Sequence, residues 1–246
     1  MPVSAAQLFE MLKKLHDSAV DLTPALTFDK THKLHAATVS YYSSIVELSG
    51  ACCALLGGNH AVAFPIVLRA FFEAHVDLMN LIRDPKYGYT LEIDFFTSRQ
   101  RLLKLAKEGK IAYLAEITSK DDLDERLTAT AKKLQEVKQK GKQLNISEKF
   151  AAADMGDEYS TLYAWLCSHS HNNLSAMTSR HVEEGEDGAE MVMYKEIDLE
   201  EYGIWIGVAC ELLLRSMEKI HGFLKSGKED ALKGLRAELD KLRDTA

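Results

Sequence analysis

The sequence predicts an all-α protein, a multi-helix bundle with one small β-hairpin near residues 178–194, and three observations carry that expectation. Apolar residues recur at spacings of three and four through most of the chain, the period of a helix with one buried face. Prolines fall only at positions 2, 24, 65 and 85, so long stretches lack helix breakers. The composition, 46% apolar and 27% charged over 246 residues, is that of an ordinary folded protein able to bury a sizeable core.

Each element follows from local signals. A first helix over about 4–20 stops at DLTPALT, where Pro24 pushes the preceding residue out of the helical region. A second, about 29–57, ends at Gly57 and Gly58, which tolerate a left-handed cap. The third, about 61–83, holds Pro65 near its first turn, where a missing N–H costs least, and closes at DPKYGYT. A fourth covers about 90–107, and a short one about 111–118. A charged helix over about 120–142 opens with Ser119 and Asp122 in a capping-box pattern. A helix over about 157–172 ends in LCSHSHNN. EEGEDG between two β-tolerant flanks marks the hairpin, Asp198 caps a long helix to about 226, and a charged helix over about 229–243 closes the sequence. The most buried helices should be those at 29–57, 61–83, 157–172 and 198–226.

The expected organisation is one helical domain over 1–246: an N-terminal helix and connection (1–28), a core bundle (29–226) and a C-terminal charged helix (227–246). Thirty basic against 37 acidic residues give a formal charge of −7, which argues against a broad basic surface gripping nucleic acid. Cys52, Cys53, Cys167 and Cys210 lie in apolar stretches with no CxxC, as buried reduced thiols of a cytoplasmic protein do. The N-terminus has no signal-peptide layout, and GIWIGVACELLL (203–214) is about half a bilayer span, so no membrane association is expected. Phosphate loops, GxSxG elbows and HExxH are absent, and no cofactor is expected.

The chemistry-bearing residues fall in two places. On the third helix Arg69, Glu73 and Asp77 stand at i, i+4 and i+8, sharing one face of a greasy element. Such charges need partners, so Arg69 and Glu73 should pair with each other and with a neighbouring helix. That pair is either a structural ion pair or a ligand-facing one. On the later helix Ser160, Ala164, Ser168 and His171 form a stripe of small residues ending in an imidazole, with Tyr163 near it. His169, two residues before His171, is turned away by about 200° toward Leu162 and Trp165. HSH is therefore a poor zinc pair, and Glu73, Asp77 and His171 are the least unsuitable metal ligands.

LRAFFEAHVDLMNLIRDP followed at a distance by YAWLCSHSHNN resembles a bacterial all-helical family of unknown function, whose members carry Arg-x-x-x-Glu on an apolar helix and a later Ser-x-x-His. Arg69, Glu73, Ser168 and His171 fall at those positions, and the resemblance spans roughly residues 40–220. That family is in turn similar to the HEPN superfamily, small helical bundles that often dimerise and include metal-independent ribonucleases. The resemblance implies a HEPN-like fold and a homodimer. It also implies a signature of Arg, four to six residues, then His, which Arg69 to His75 and Arg215 to His221 satisfy in spacing. A six-residue step sets Arg69 and His75 about 120° apart on a straight helix. Before His171 the chain has Tyr159 and Tyr163 and no arginine, so Arg69 would supply the cation from the neighbouring helix.

Three functions stay open. Arg69, Glu73, Tyr163, Ser168 and His171 form a polar pocket for a small anionic ligand or a partner. Alternatively His171 and Arg69 are the catalytic residues of a HEPN-like metal-independent endoribonuclease or RNA-binding protein of a defence or toxin system. The third is a metal-dependent hydrolase. All three depend on the separation between Arg69 and His171 in the folded chain.

Overall fold

The computed structural model of the protein describes residues 3–60, 62–109, 111, 114, 122–171, 173–185, 188–193 and 198–244. In chain order the elements are α1 (Ala5–Leu22), a 3-10 turn (Thr23–Ala25), α2 (Lys33–Gly57), α3 (Phe64–Arg83), α4 (Tyr87–Lys107), α5 (Leu123–Lys138) and α6 (Ile146–Ala152). One continuous helical path, α7, then joins Gly156–Glu158, a π-helical turn at Tyr159–Tyr163 and Ala164–Ser170. After it come α8 (Leu174–His181), β1 (Val182–Gly185), β2 (Gly188–Met191), a 3-10 turn (Leu199–Tyr202), α9 (Gly203–Phe223) and α10 (Glu229–Asp244). The fold is all-α with a small antiparallel hairpin, in which Val182 pairs with Met191 and Gly185 with Gly188. The expected short helix near 111–118, and Ser119 of the expected capping box, fall almost wholly outside the described residues.

Two compact units form, one from Met1–Ile82 with Phe150–Ala246 and the other from Arg83–Lys149. The sequence predicts one helical domain over 1–246, with residues 83–149 inside its core bundle of 29–226.

In the larger unit α9 is the central helix, touching α1, α2 and α10. Its run of Ile206, Ala209, Cys210, Leu213, Leu214, Met217 and Ile220 is fully buried. Facing it, α1 presents Ala5, Leu8, Leu12, Leu15 and Ala19 at helical spacing. A complete capping box holds the start of α1: the Ser4 side chain accepts from the Gln7 N–H, and Gln7 accepts from the Ser4 N–H. Helix α2 buries a single stripe, Thr38, Tyr42, Ile45, Ser49, Cys52 and Leu56. Gly50 lets α1 come close, since a Cβ there would stand 2.7 Å from the His16 ring, itself held 2.9 Å from Ser49 Oγ. By length and composition α2 could cross a membrane, with a mean hydropathy of 1.3 over its best window. Here it packs against α1 and α9. It begins at Lys33 rather than near 29, because the Asp29 carboxylate accepts from both the N–H and the hydroxyl of Thr31 and closes a turn.

Helix α3 is buried along most of its length by Phe64, Leu68, Phe71, Phe72, Val76, Leu78 and Leu81. Its Phe72 joins Phe150, Tyr159 and Tyr163 in an aromatic cluster, with Phe72–Phe150 and Phe150–Tyr163 ring centres 5.2 and 4.8 Å apart. The expectation that the 157–172 helix is among the most buried does not hold. Only Tyr163 and Leu166 of α7 are buried, because its other faces carry polar groups, and α1 takes the place in the core.

In the smaller unit α4 and α5 run antiparallel around Ile93, Leu134 and Val137, with Phe96 against them. Thr90 donates to the Lys142 carbonyl at 3.0 Å at one end, and Lys107 meets Asp124 at the other.

Candidate functional site

Arg69 is held by the burial of its own helix. Leu68 and Phe71 on either side are fully sealed, so α3 cannot roll, and the guanidinium is presented toward α7 with 24% of the side chain exposed. There it meets four groups. Its Nε donates to Glu73 Oε1 at 3.0 Å and to the Tyr163 hydroxyl at 3.3 Å. Its Nη1 donates to Ser170 Oγ at 2.6 Å and to His171 Nε2 at 3.2 Å. Tyr163 in turn donates to Glu73 Oε1 at 2.6 Å, and the guanidinium carbon lies 5.4 Å from the centre of the Tyr163 ring.

These contacts fix protonation states. Burial and the bond to Glu73 push the Tyr163 phenol well up, so it keeps its proton and donates it to the carboxylate. Burial works against the Arg69 charge, but the contacts to Tyr163 and Glu73 outweigh it and hold the group above its ordinary value. A guanidinium only donates, so His171 Nε2 must accept and the ring proton sits on Nδ1. Among the described residues Arg69 Nη2 and His171 Nδ1 bond to nothing. With Glu73 40% exposed, solvent screening reduces its i,i+4 ion pair with Arg69 to about 0.3–0.5 kcal/mol. The pair stabilises the fold little and orients the arginine.

Of the expected site residues, Arg69, Glu73, Tyr163 and His171 come together and Ser168 does not; Ser170 stands in its place. The reason is angular. From Tyr163 a seven-residue step returns to nearly the same helix face, whereas the five-residue step to Ser168 turns about 140° away. Ser168 instead donates to the Trp165 carbonyl at 2.7 Å and lines a cavity on the far side of α7. His171 belongs to the Arg69 side because it caps the helix with a non-helical backbone, φ −94° and ψ 10°. Asn172 of the same motif is outside the described residues.

His169 lies over Trp165, ring centres 3.7 Å apart, as its angular position requires. It accepts from Arg180 Nη2 at 3.2 Å, and burial followed by that guanidinium pushes its pKa down. Arg180, on α8, was not singled out from sequence. The only available signal was a basic residue near a helix C-terminus, common to many helices.

Neither spacing match to the HEPN signature forms an exposed pair. His75 is fully buried, bonds Ser216 Oγ at 2.7 Å and is pushed down to about 3 by burial and by Arg215. His221 is likewise sealed and bonds Ser226 Oγ at 2.7 Å. Among the described residues no three His, Cys, Asp or Glu side chains gather as a metal set. Between Glu73 and His171 the cationic place is taken by Arg69 itself. The cysteines are free thiols, and burial raises Cys52, Cys53 and Cys210.

No curated protein and no solved structure matches the chain. Residues 35–189, a segment that holds the whole Arg69 cluster and most of the hairpin, match a family of unknown function, DUF5677, and the chain belongs to that family.

Proposed function

We propose that the Arg69 cluster binds a small oxyanion, a carboxylate or a phosphate group. The observation that supports this is a guanidinium, about a quarter exposed, that Glu73, Tyr163, Ser170 and His171 immobilise while its Nη2 and the neighbouring imidazole N–H carry no bond among the described residues. Preformed donors lower the ordering cost of binding, and an arginine fork matches a planar or tetrahedral oxyanion. A thermal-shift screen with inorganic phosphate, small carboxylates and nucleotides tests it. A ligand at about 100 times its Kd should stabilise the protein by about 2.7 kcal/mol. Arg69→Lys, which keeps the charge and loses the fork, should remove the shift. No shift with any of these anions, or an equal shift in the variant, refutes the reading.

A HEPN-like metal-independent endoribonuclease is the second reading, favoured by the 3.2 Å approach of Arg69 to His171. Arg69 would stabilise charge on the phosphate and His171 would take or give the proton. Two observations rank it lower. The Nε2 lone pair that would act as a base already accepts from Arg69, and the Glu73 carboxylate stands in the cluster on a chain of net charge −7. RNA incubated in chelator should be cleaved by the wild type and not by His171→Ala if this reading is right. Intact RNA, or cleavage unaffected by that change, removes it.

A further inference from the structure

On the face of α7 turned away from Arg69 lies a cavity of about 500 Å³, within the size range of small-molecule sites. Its lining is dipolar. Asp198 and Glu201 supply two carboxylates from the 3-10 turn and its cap. One Asp198 oxygen accepts from the Glu200 N–H, while the Glu201 carboxylate has no hydrogen bond or ion pair among the described residues.

The positive side is built from α8 and α7. Arg180 is 8% exposed, and its Nη2 is anchored on the His169 carbonyl at 3.1 Å and on His169 Nδ1 at 3.2 Å. Because Nδ1 accepts, the His169 proton sits on Nε2, where it is a donor with no partner among the described residues. The Ser175 hydroxyl adds another donor on the cavity wall. Trp165, Val62 and Ala176 give the apolar part, and Trp165 is kept in place by stacking on Trp205 at 3.9 Å with ring planes 14° apart.

A simple anion would meet Asp198 and Glu201, and a simple cation would meet Arg180; each is mismatched on one side. A molecule carrying both charges on a compact apolar body is matched on both. We propose that this cavity binds a small zwitterion of the α-amino acid class, its ammonium toward Glu201 and Asp198 and its carboxylate toward His169, Ser175 and the field of Arg180. The site is separate from the Arg69 cluster and does not depend on the function proposed for it.

The chain's two tryptophans are Trp165, on the cavity wall, and Trp205, stacked on it, so intrinsic emission reads occupancy directly. The full-length protein is titrated with a panel of free α-amino acids other than tryptophan and tyrosine. 3-Phenylpropionate, which lacks the ammonium, and phenethylamine, which lacks the carboxylate, serve as comparators. At least one amino acid should give a saturable emission change in the micromolar to millimolar range. Either half-molecule should bind about tenfold or more weakly, one charged contact being lost. Glu201→Gln should weaken the amino acid by a similar factor while leaving the thermal midpoint in place. Absence of a saturable change across the panel, equal binding of the amine or the acid alone, or indifference to Glu201→Gln overturns the proposal.

Discussion

At the scale of single residues, the decisive feature is how polar groups inside an apolar helix find partners. Tyr163 illustrates it: one hydroxyl accepts from Arg69 and donates to Glu73, so removing it takes one partner from each of two charged neighbours. Tyr163→Phe should keep the aromatic packing on Phe150 and cost about 1–2 kcal/mol in chemical denaturation, with weaker anion binding as the second readout. His75 makes a different statement. Its folded pKa lies below the ordinary 6.5, so between about 6.5 and about 3 the unfolded chain binds a proton that the folded chain refuses. Its contribution is therefore complete above pH 6.5 and is lost as pH falls through that window. The thermal midpoint should drop more steeply on acidification in wild type than in His75→Asn, and parallel curves would show that His75 does not titrate in this way.

At the scale of elements, α7 explains both what the sequence made legible and what it hid. The apolar periodicity marks the helix, and the non-helical backbone of His171 at its cap brings that ring to Arg69. A stripe at four-residue steps from Ser160 leads to Ser168 because it crosses a stretch where the backbone widens into a π-helical turn at Tyr159–Tyr163. Counting from Tyr163 finds Ser170. Two short helices went unread for different reasons. The start of α6 is a reciprocal cap, with the Glu148 N–H donating to Asn145 Oδ1 at 3.0 Å and the Asn145 N–H to Glu148 Oε2 at 2.8 Å, and N-x-x-E is its signal in the sequence. Helix α8 buries only Ala176 and Arg180, too few positions for an apolar period, and rests on the Asn173 cap instead. Below the site, Phe150 is fully buried among Phe72, Tyr159 and Tyr163, and Phe150→Ala should cost about 3–5 kcal/mol in denaturant unfolding. At the other end, Arg236 of α10 grips both oxygens of Glu218 and reaches Glu211 on α9, three side chains about a quarter to a third exposed. Arg236→Lys, which cannot make the two-pronged contact, should cost about 1 kcal/mol, and an unchanged midpoint would show that the network is ornamental.

At the scale of the whole molecule, composition and helical period are enough for the all-α class, and the turn-rich EEGEDG for the hairpin, because both depend on local pattern. The division into two compact units was not legible: it depends on which helices α4 and α5 pack against, and their thin apolar stripes at Ile93, Leu134 and Val137 look like any solvated helix in one dimension. The meeting of residues about a hundred positions apart follows from charge, since a guanidinium on so greasy a helix has to be met by something, and from the resemblance that sets Arg69 beside His171. That convergence is the centre of the account. Long-range proton–nitrogen correlation NMR of the histidine rings, with His171 assigned through His171→Gln and recorded where the ring is neutral, reads it directly. The expected spectrum has His171 protonated on Nδ1 and bare on Nε2, with that signal moving as a bound oxyanion saturates the site. A proton on Nε2, or a signal indifferent to anions that bind the protein, would contradict it.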